Sequence, residues 1–224
     1  MGSQSSRFAG HFRALGRFLV RPPDPRKLPG LSSPGQFRTV GGMNSRHPKH
    51  VQIIQGKSLR RGRFVLSSGK VSDYYIDGKM TCFDPAGSAA VVDAILEEIA
   101  DLRIDAVGGM DMGGTPIVGA LANRTYHLGR PMPTFVVRKE VKSHGTMKAI
   151  EGPVPPAGGR VVIVEDVVTT GESMFKAIDA VIAHGCTVVL AIAMLDRNAG
   201  ATEAMKTRNI PYRPLVTLAE LGVG

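Results

Sequence analysis

Acidic side chains are almost missing from the first 42 residues, where Asp24 stands alone against Arg7, Arg13, Arg17, Arg21, Arg26, Lys27 and Arg38. That stretch carries a net +6 and leaves only +3 of the chain's +9 for the rest. A nucleic-acid binder usually shows a basic face on its folded domain, so an excess confined to a tail argues against a nucleic-acid partner. Cysteine is scarce too. Cys82 and Cys186 lie far apart without metal-ligand spacing, which argues against a disulfide framework and leaves core packing in a reducing compartment. A cytoplasmic location is expected. Long apolar runs are also missing. None approaches the roughly 20 residues needed to span a bilayer, so no membrane partner is expected. No internal repeat is present.

What remains is ordinary globular material. A chain of 224 residues with 43% apolar and 21% charged content can build one domain with a sizeable core. The basic tail is the exception, rich in Pro, Gly and Ser ("RPPDPRKLPG", "SSPGQ") and without sustained period. Residues 1–42 are therefore expected to be a largely disordered extension, with the folded domain over 43–224. Such Arg-rich, acid-poor N-termini resemble organelle transit peptides, and "FAGHFRALGRFLV" is compatible with a short amphipathic helix. The alternative is that Met43 is the physiological start.

From about residue 47 the pattern is regular. Helices are expected over 50–59, 89–102, 116–128, 173–185 and 201–209, and a short antiparallel unit with a Ser-Ser-Gly turn over 62–79. Continuously apolar strands are expected at 105–109, 133–137, 160–166 and 187–195, with a last strand at 212–218. Apolar strands alternating with helices predict an α/β fold, a parallel sheet covered on both faces. Ligands of such sheets sit beyond the C-terminal strand ends. That directs attention to the loops 108–116, 138–159, 165–173 and 196–200.

The loop at 165–173 carries the clearest chemistry. In "VVIVEDVVTTGES" an apolar strand runs into Glu165 and Asp166, followed by Thr169, Thr170 and Gly171 at a helix start. Free amides and hydroxyls at a helix N-terminus suit a phosphate. Adjacent carboxylates suit the vicinal hydroxyls of a sugar. A lone acidic pair is more often a helix cap. The whole pattern arises by chance in about one of 10⁵ chains of this length.

This stretch resembles the phosphoribosyl-pyrophosphate motif of the type I phosphoribosyltransferases. The resemblance implies that Glu165 and Asp166 hold the ribose hydroxyls. It also implies that Val167, Val168, Thr169, Thr170, Gly171, Glu172 and Ser173 complete the donor site around the 5-phosphate. The segment "RKEVKSHGTMKAIEG" (138–152) resembles the catalytic loop of the orotate phosphoribosyltransferases. There Arg138, Lys139, Lys142 and His144 would bind the diphosphate, with Lys142, His144 and Asp166 as the catalytic set. Physically, a diphosphate leaving group needs concentrated positive charge, best delivered by a lid that opens. Arg197, after the strand "TVVLAIAML", matches the arginine that holds the orotate carboxylate, a planar fork suited to that group. Thr169 would also approach orotate. The segment "GRFVLSSGKVSDYYID" resembles the family's N-terminal hairpin, a small hood over the base.

There are departures. Ser67 and Gly113 stand where lysines are frequent in the family, as they do in a branch that lacks both lysines, and the aromatic pair after the hairpin is Tyr75 and Ile76. The resemblance covers about residues 47–224 and none of the tail. It implies transfer of a phosphoribosyl group from 5-phosphoribosyl 1-diphosphate to orotate in pyrimidine biosynthesis. Mg2+ would be bound mainly through the donor, with no dedicated protein ligands. A homodimer is implied, each lid acting in trans.

Other readings are a phosphoribosyltransferase for a purine or uracil, or a regulator that senses the donor and binds nucleic acid. A fusion to a decarboxylase has no room in 224 residues. The loop cations and Arg197 favour orotate. On the lid assignment, Lys142→Ala is expected to lower turnover far more than donor affinity. Unchanged turnover in steady-state assays would sink that assignment.

Overall fold

Two apolar faces on one set of strands organise the domain. In the strand at 160–168, Val162 and Val164 pack on one side and Val161 and Ile163 on the other. This alternation is what a pleated strand buried on both faces requires. The computed structural model describes residues 38–40, 43–65, 69, 71–139 and 149–223. All of these fall in one compact unit, Leu31–Gly224.

The chain begins with a two-stranded antiparallel ribbon, β1 (Arg38–Val40) and β2 (Met43–Ser45). Helix α1 (Pro48–Lys57) follows, then the antiparallel pair β3 (Leu59–Val65) and β4 (Val71–Ile76). A short helix α2 (Lys79–Cys82) leads to α3 (Pro85–Glu98). Then come β5 (Ala106–Met110), α4 (Thr115–His127), β6 (Thr134–Val137) and β7 (Ile150–Glu151). The series closes with β8 (Arg160–Val168), α5 (Glu172–Ala183), β9 (Thr187–Asp196), α6 (Ala201–Thr207), β10 (Tyr212–Thr217) and a 3₁₀ turn (Ala219–Leu221).

The six-stranded sheet has the order β10-β9-β8-β5-β6-β7. Every neighbouring pair is parallel except the edge, where β7 runs antiparallel to β6. Helices α1, α3 and α4 cover one face with Ile54, Val91, Ile95, Ile117 and Leu121. Helix α5 covers the other with Met174, Ala177, Ile178 and Val181, the spacing of a single helical stripe. This is the α/β sheet that the apolar strands predict.

Three differences from the sequence reading have physical causes. Helix α3 starts at Pro85 rather than 89, because Asp84 caps it by accepting the Gly87 N–H at 2.8 Å and Pro85 suits the first turn. Strand β7 lies within a segment read as loop, since two residues are too few to show a period. Strand β8 continues past the acids to Val168, because β9 keeps pairing with it, Val167 to Leu195 and Val168 to Asp196.

Cys82 and Cys186 are both free and buried. In β5, Gly108 lies directly against the ring of Phe135, where a Cβ would overlap Cε2 and Cζ. Both residues sit in the sheet interior, with no open space for the ring. Gly108→Ala is expected to destabilise by about 1–3 kcal/mol through overpacking. That lowers the thermal midpoint by several degrees in a calorimetric scan.

Candidate active site

Three segments converge at the C-terminal end of β8, the second of the four inner strands. The acids Glu165 and Asp166 belong to the strand itself and are buried, at 5% and 8% exposure. Strict alternation would send adjacent side chains to opposite faces. Here the strand end departs from a simple two-face division: Val167 packs in the cluster of Val162 and Val164 and Val168 in that of Val161 and Ile163, while pairing with β9 stays in register from Val162 to Val168. Glu165 Oε1 and Asp166 Oδ1 both crowd the space that a Cβ would occupy on Gly113. The loop after β5 therefore lies close against both carboxylates, and a side chain at 113 would require them to shift. From the opposite side the hood turn packs Gly78 against Asp166, where a Cβ would come within 2.6 Å of Oδ2.

The electrostatics of the pair follow from burial. Asp166 Oδ1 accepts the Val167 N–H at 2.7 Å, whereas Glu165 Oε2 has no hydrogen-bond partner among the described residues. Desolvation, then the neighbouring Asp166 charge, pushes Glu165 up to about 9. Asp166 is also raised by desolvation, with the Val167 amide and the Lys79 ammonium pulling the other way. Beneath them, burial and the two acids push the Cys82 thiol up to about 12, and its Sγ lies 3.6 Å from Met194 Sδ. That thiol is inert filler.

Beyond the acids, residues 169–173 turn from β8 into α5. Gly171 adopts φ of +89°, and the helix start carries no side-chain cap. Thr169, Thr170, Glu172 and Ser173 are exposed around this turn. Together with Glu165, Val167 and Gly171 they line a cavity of about 170 Å³. Uncapped amides and hydroxyls facing a small cavity make an anion site. Glu172 is an acid in that turn, held by Lys176 at 2.9 Å, and the charge of Lys139 also acts on it. Lys139 thus lies near its own chain's turn.

Arg197 follows β9, and its N–H donates to Val168 O at 2.9 Å, which fixes it beside Thr169. Its guanidinium carbon stands 5.8 Å from the centre of the Tyr74 ring on β4. Buried Asp196 shapes this turn by accepting from Asn198 N at 2.8 Å and Thr202 Oγ1 at 3.3 Å. Arg138 donates through Nε to Glu151 Oε1 at 2.9 Å, joining β6 to β7. The fold therefore brings Glu165, Asp166, Val167, Val168, Thr169, Thr170, Gly171, Glu172, Ser173 and Arg197 together, with Lys139 close by. Lys142, His144 and Ser67 lie outside the described residues.

Tyr74, Gly78 and Lys79 at the site were not singled out from the sequence. Only the hairpin motif around Tyr74 could have pointed to them, because their proximity to the acids depends on how the hood folds back.

Comparison with known proteins agrees with this geometry. The phosphoribosyl transferase domain profile matches residues 84–210. An orotate phosphoribosyltransferase of Rhodopseudomonas palustris is 42% identical over 171 residues, covering 75% of this chain and 91% of that protein. An orotate phosphoribosyltransferase structure from Mycobacterium tuberculosis, in complex with Fe(III) dicitrate, superposes with a TM-score of 0.70 at 36% identity, covering 79% of this chain and 99% of that one. The same enzyme in complex with 5-phospho-α-D-ribosyl 1-diphosphate gives 0.66 at 33% identity, with the same coverage. The acid pair, the uncapped turn and the arginine after β9 thus lie on a fold and sequence shared with these enzymes, and the chain belongs to the orotate phosphoribosyltransferases of the type I phosphoribosyltransferase family.

Proposed function

We propose that the site just described carries out phosphoribosyl transfer from 5-phosphoribosyl 1-diphosphate to orotate, giving orotidine 5-phosphate and diphosphate. The observation that carries the reading is the buried acid pair, whose Glu165 Oε2 has no hydrogen-bond partner among the described residues, opening onto the uncapped turn of α5. Ribose hydroxyls would donate to Glu165 and Asp166, and the 5-phosphate would accept from the amides and hydroxyls of 169–173. Arg197, with its guanidinium over the Tyr74 ring, suits the orotate carboxylate. As the ring nitrogen of orotate bonds to C1 and gives up its proton, the bond from C1 to the diphosphate oxygen breaks, and diphosphate leaves with the electron pair and can take up that proton. Fixing both reactants in one cleft removes most of the entropic cost of their encounter.

Lys139, Lys142 and His144 are the cations proposed for the leaving diphosphate. Arg138 is engaged with Glu151, which supports a role at the base of the lid as well as toward the donor. Among the described residues no three His, Cys, Asp or Glu side chains converge as a metal cage. The acid pair, with Glu165 Oε2 unpartnered among the described residues, would accommodate Mg2+ arriving with the donor. When bound it supplies charge neutralisation of the diphosphate.

A homodimer with lids acting in trans is proposed on the family resemblance. The exposed apolar residues Val65, Val71 and Tyr75 on the hairpin, with Met80 and Phe83 after it, support a second copy as partner. No described helix is long and apolar enough to cross a membrane. A cytoplasmic setting is proposed, with no nucleic acid among the partners.

The direct test follows orotate absorbance with the full chain, donor and magnesium, using hypoxanthine and uracil as controls. Orotate consumption that needs both donor and metal is the expected result; consumption of a control base instead would overturn the reading. In the same assay Arg197→Ala is expected to raise the orotate KM by roughly 10–100-fold, the loss of a charge-assisted contact, with little change in donor KM.

The acid pair also has a stability signature. The folded chain holds a proton on Glu165 up to about pH 9, whereas an unfolded glutamate releases it near 4.5. The folded state therefore binds more protons across that window, and wild-type stability falls as pH rises through it. Glu165→Gln removes this titration. It is expected to be more stable than wild type at pH 8.5, by on the order of 1–3 kcal/mol, with the gap closing toward pH 5. Equal unfolding midpoints at both pH values would contradict the buried, raised carboxyl.

A further inference from the structure

Lys79 lies on the hood turn that closes against the acid pair, and nothing in the sequence motifs gives it a role. Gly78, immediately before it, packs on Asp166 Oδ2 and Val167 Cγ2. Lys79 Nζ is 2.9 Å from Asp77 Oδ1, and the lysine side chain remains 47% exposed. Its charge acts on Asp166 and Cys82, and Asp166 acts back on it. Among the described residues, Lys79 is the cation whose charge acts on Asp166.

The two ends of the cleft have different cations. At the 169–173 turn, Glu172 responds to Lys176 and Lys139. At the Asp166 end the responding cation is Lys79. A donor with its 5-phosphate in the turn and its hydroxyls on the acids extends C1 and the diphosphate away from the turn. Position 113 is glycine in this chain and brings no charge there. The hood turn supplies a described positive charge at that end, and its ammonium is paired with Asp77, which is itself partly exposed.

We propose that Lys79 is a donor-binding residue whose ammonium exchanges Asp77 for the diphosphate oxygens of the donor seated on Glu165 and Asp166. This rests on the donor occupying the acid pair as proposed above. Lys79 has three rotatable donors and a flexible stem, so it can turn from Asp77 toward an arriving anion without moving the backbone. A polyanion competes well for it, since an exposed ion pair such as that with Asp77 holds weakly.

A purely structural role makes a different forecast. Asp77 Oδ1 also accepts the Lys79 N–H at 3.1 Å, so the pair could serve only to brace the turn before α2. In that case removing either side chain would have the same effect.

The experiment titrates the donor with magnesium, and separately inorganic diphosphate with magnesium, into the full-length wild type, Lys79→Gln, Lys79→Arg and Asp77→Asn by calorimetry. Steady-state KM values for donor and orotate are measured alongside. Lys79→Gln is expected to weaken donor and diphosphate about tenfold to hundredfold, the loss of one charge-assisted contact, and to leave the orotate KM within about twofold. Lys79→Arg should recover most of the affinity, and Asp77→Asn should bind donor as tightly as wild type or tighter. The proposal is overturned if Lys79→Gln binds donor like wild type, or if Asp77→Asn loses as much as Lys79→Gln. A wild-type chain that binds no donor would overturn the donor reading itself, and this proposal with it.

Discussion

Two adjacent carboxylates buried at the end of an inner strand are the constraint around which this domain is arranged. Burying a charge without a partner is among the most expensive things a fold can do. Glu165 and Asp166 are nonetheless below a tenth exposed, and no lysine or arginine among the described residues comes within ion-pairing distance of either. The pair meets this cost partly by holding a proton, which is what the raised Glu165 expresses. What it retains is an unsatisfied acceptor aimed at a cleft. A direct arginine partner would quench the acceptor and with it the capacity to hold a sugar. The instability of the empty pair and its affinity for hydroxyls have the same origin.

Keeping such a pair in place demands rigid surroundings. Strand β8 is paired on both sides, by β5 and β9, and sealed on both faces by separate apolar clusters. The segments that touch the carboxylates do so through glycine backbones, Gly78 from the hood and Gly113 from the loop after β5. Backbone in contact with a carboxylate cannot rotate away as a side chain can. The same economy continues at Gly171, whose left-handed φ turns the chain sharply enough for the α5 amides to face the cavity next to the acids.

Much of this was legible in the sequence because it rests on local pattern. The apolar runs of β5, β8 and β9 gave their own boundaries to within a few residues, and the stripe Met174, Ala177, Ile178, Val181 is a periodic signal. The roles proposed for Glu165, Asp166 and the Thr-Thr-Gly turn were likewise readable, since strand, acids and helix start are contiguous. Non-local features were not. That the carboxylates of Glu165 and Asp166 would both reach Gly113 is not expected from simple alternation and shows only in three dimensions. Gly113 registered as a missing lysine, whereas its close contact with both carboxylates appears only in the folded chain. Lys79 sits in "DGK", a tripeptide with no period and no motif, and its nearness to Asp166 exists only once the hood has folded back.

Two described cations beside the cleft, Lys79 and Arg197, share a further property: each is held by something weak. Lys79 rests on a partly exposed Asp77, and Arg197 on the face of Tyr74. An exposed ion pair is worth about 0–1 kcal/mol, and a cation over an exposed aromatic ring about 0.5–1 kcal/mol. A substrate carboxylate or diphosphate offers a charged, multidentate alternative worth more than either. Cations secured on strong buried partners would have to break those contacts before binding, and the loss would be subtracted from the affinity. Cations left fully in solvent would have to be ordered at binding, at an entropic cost. Weak holding avoids both penalties. It also lets a cleft built around two negative charges accept a strongly anionic donor, because the compensating positive charge is already beside the acids without neutralising them.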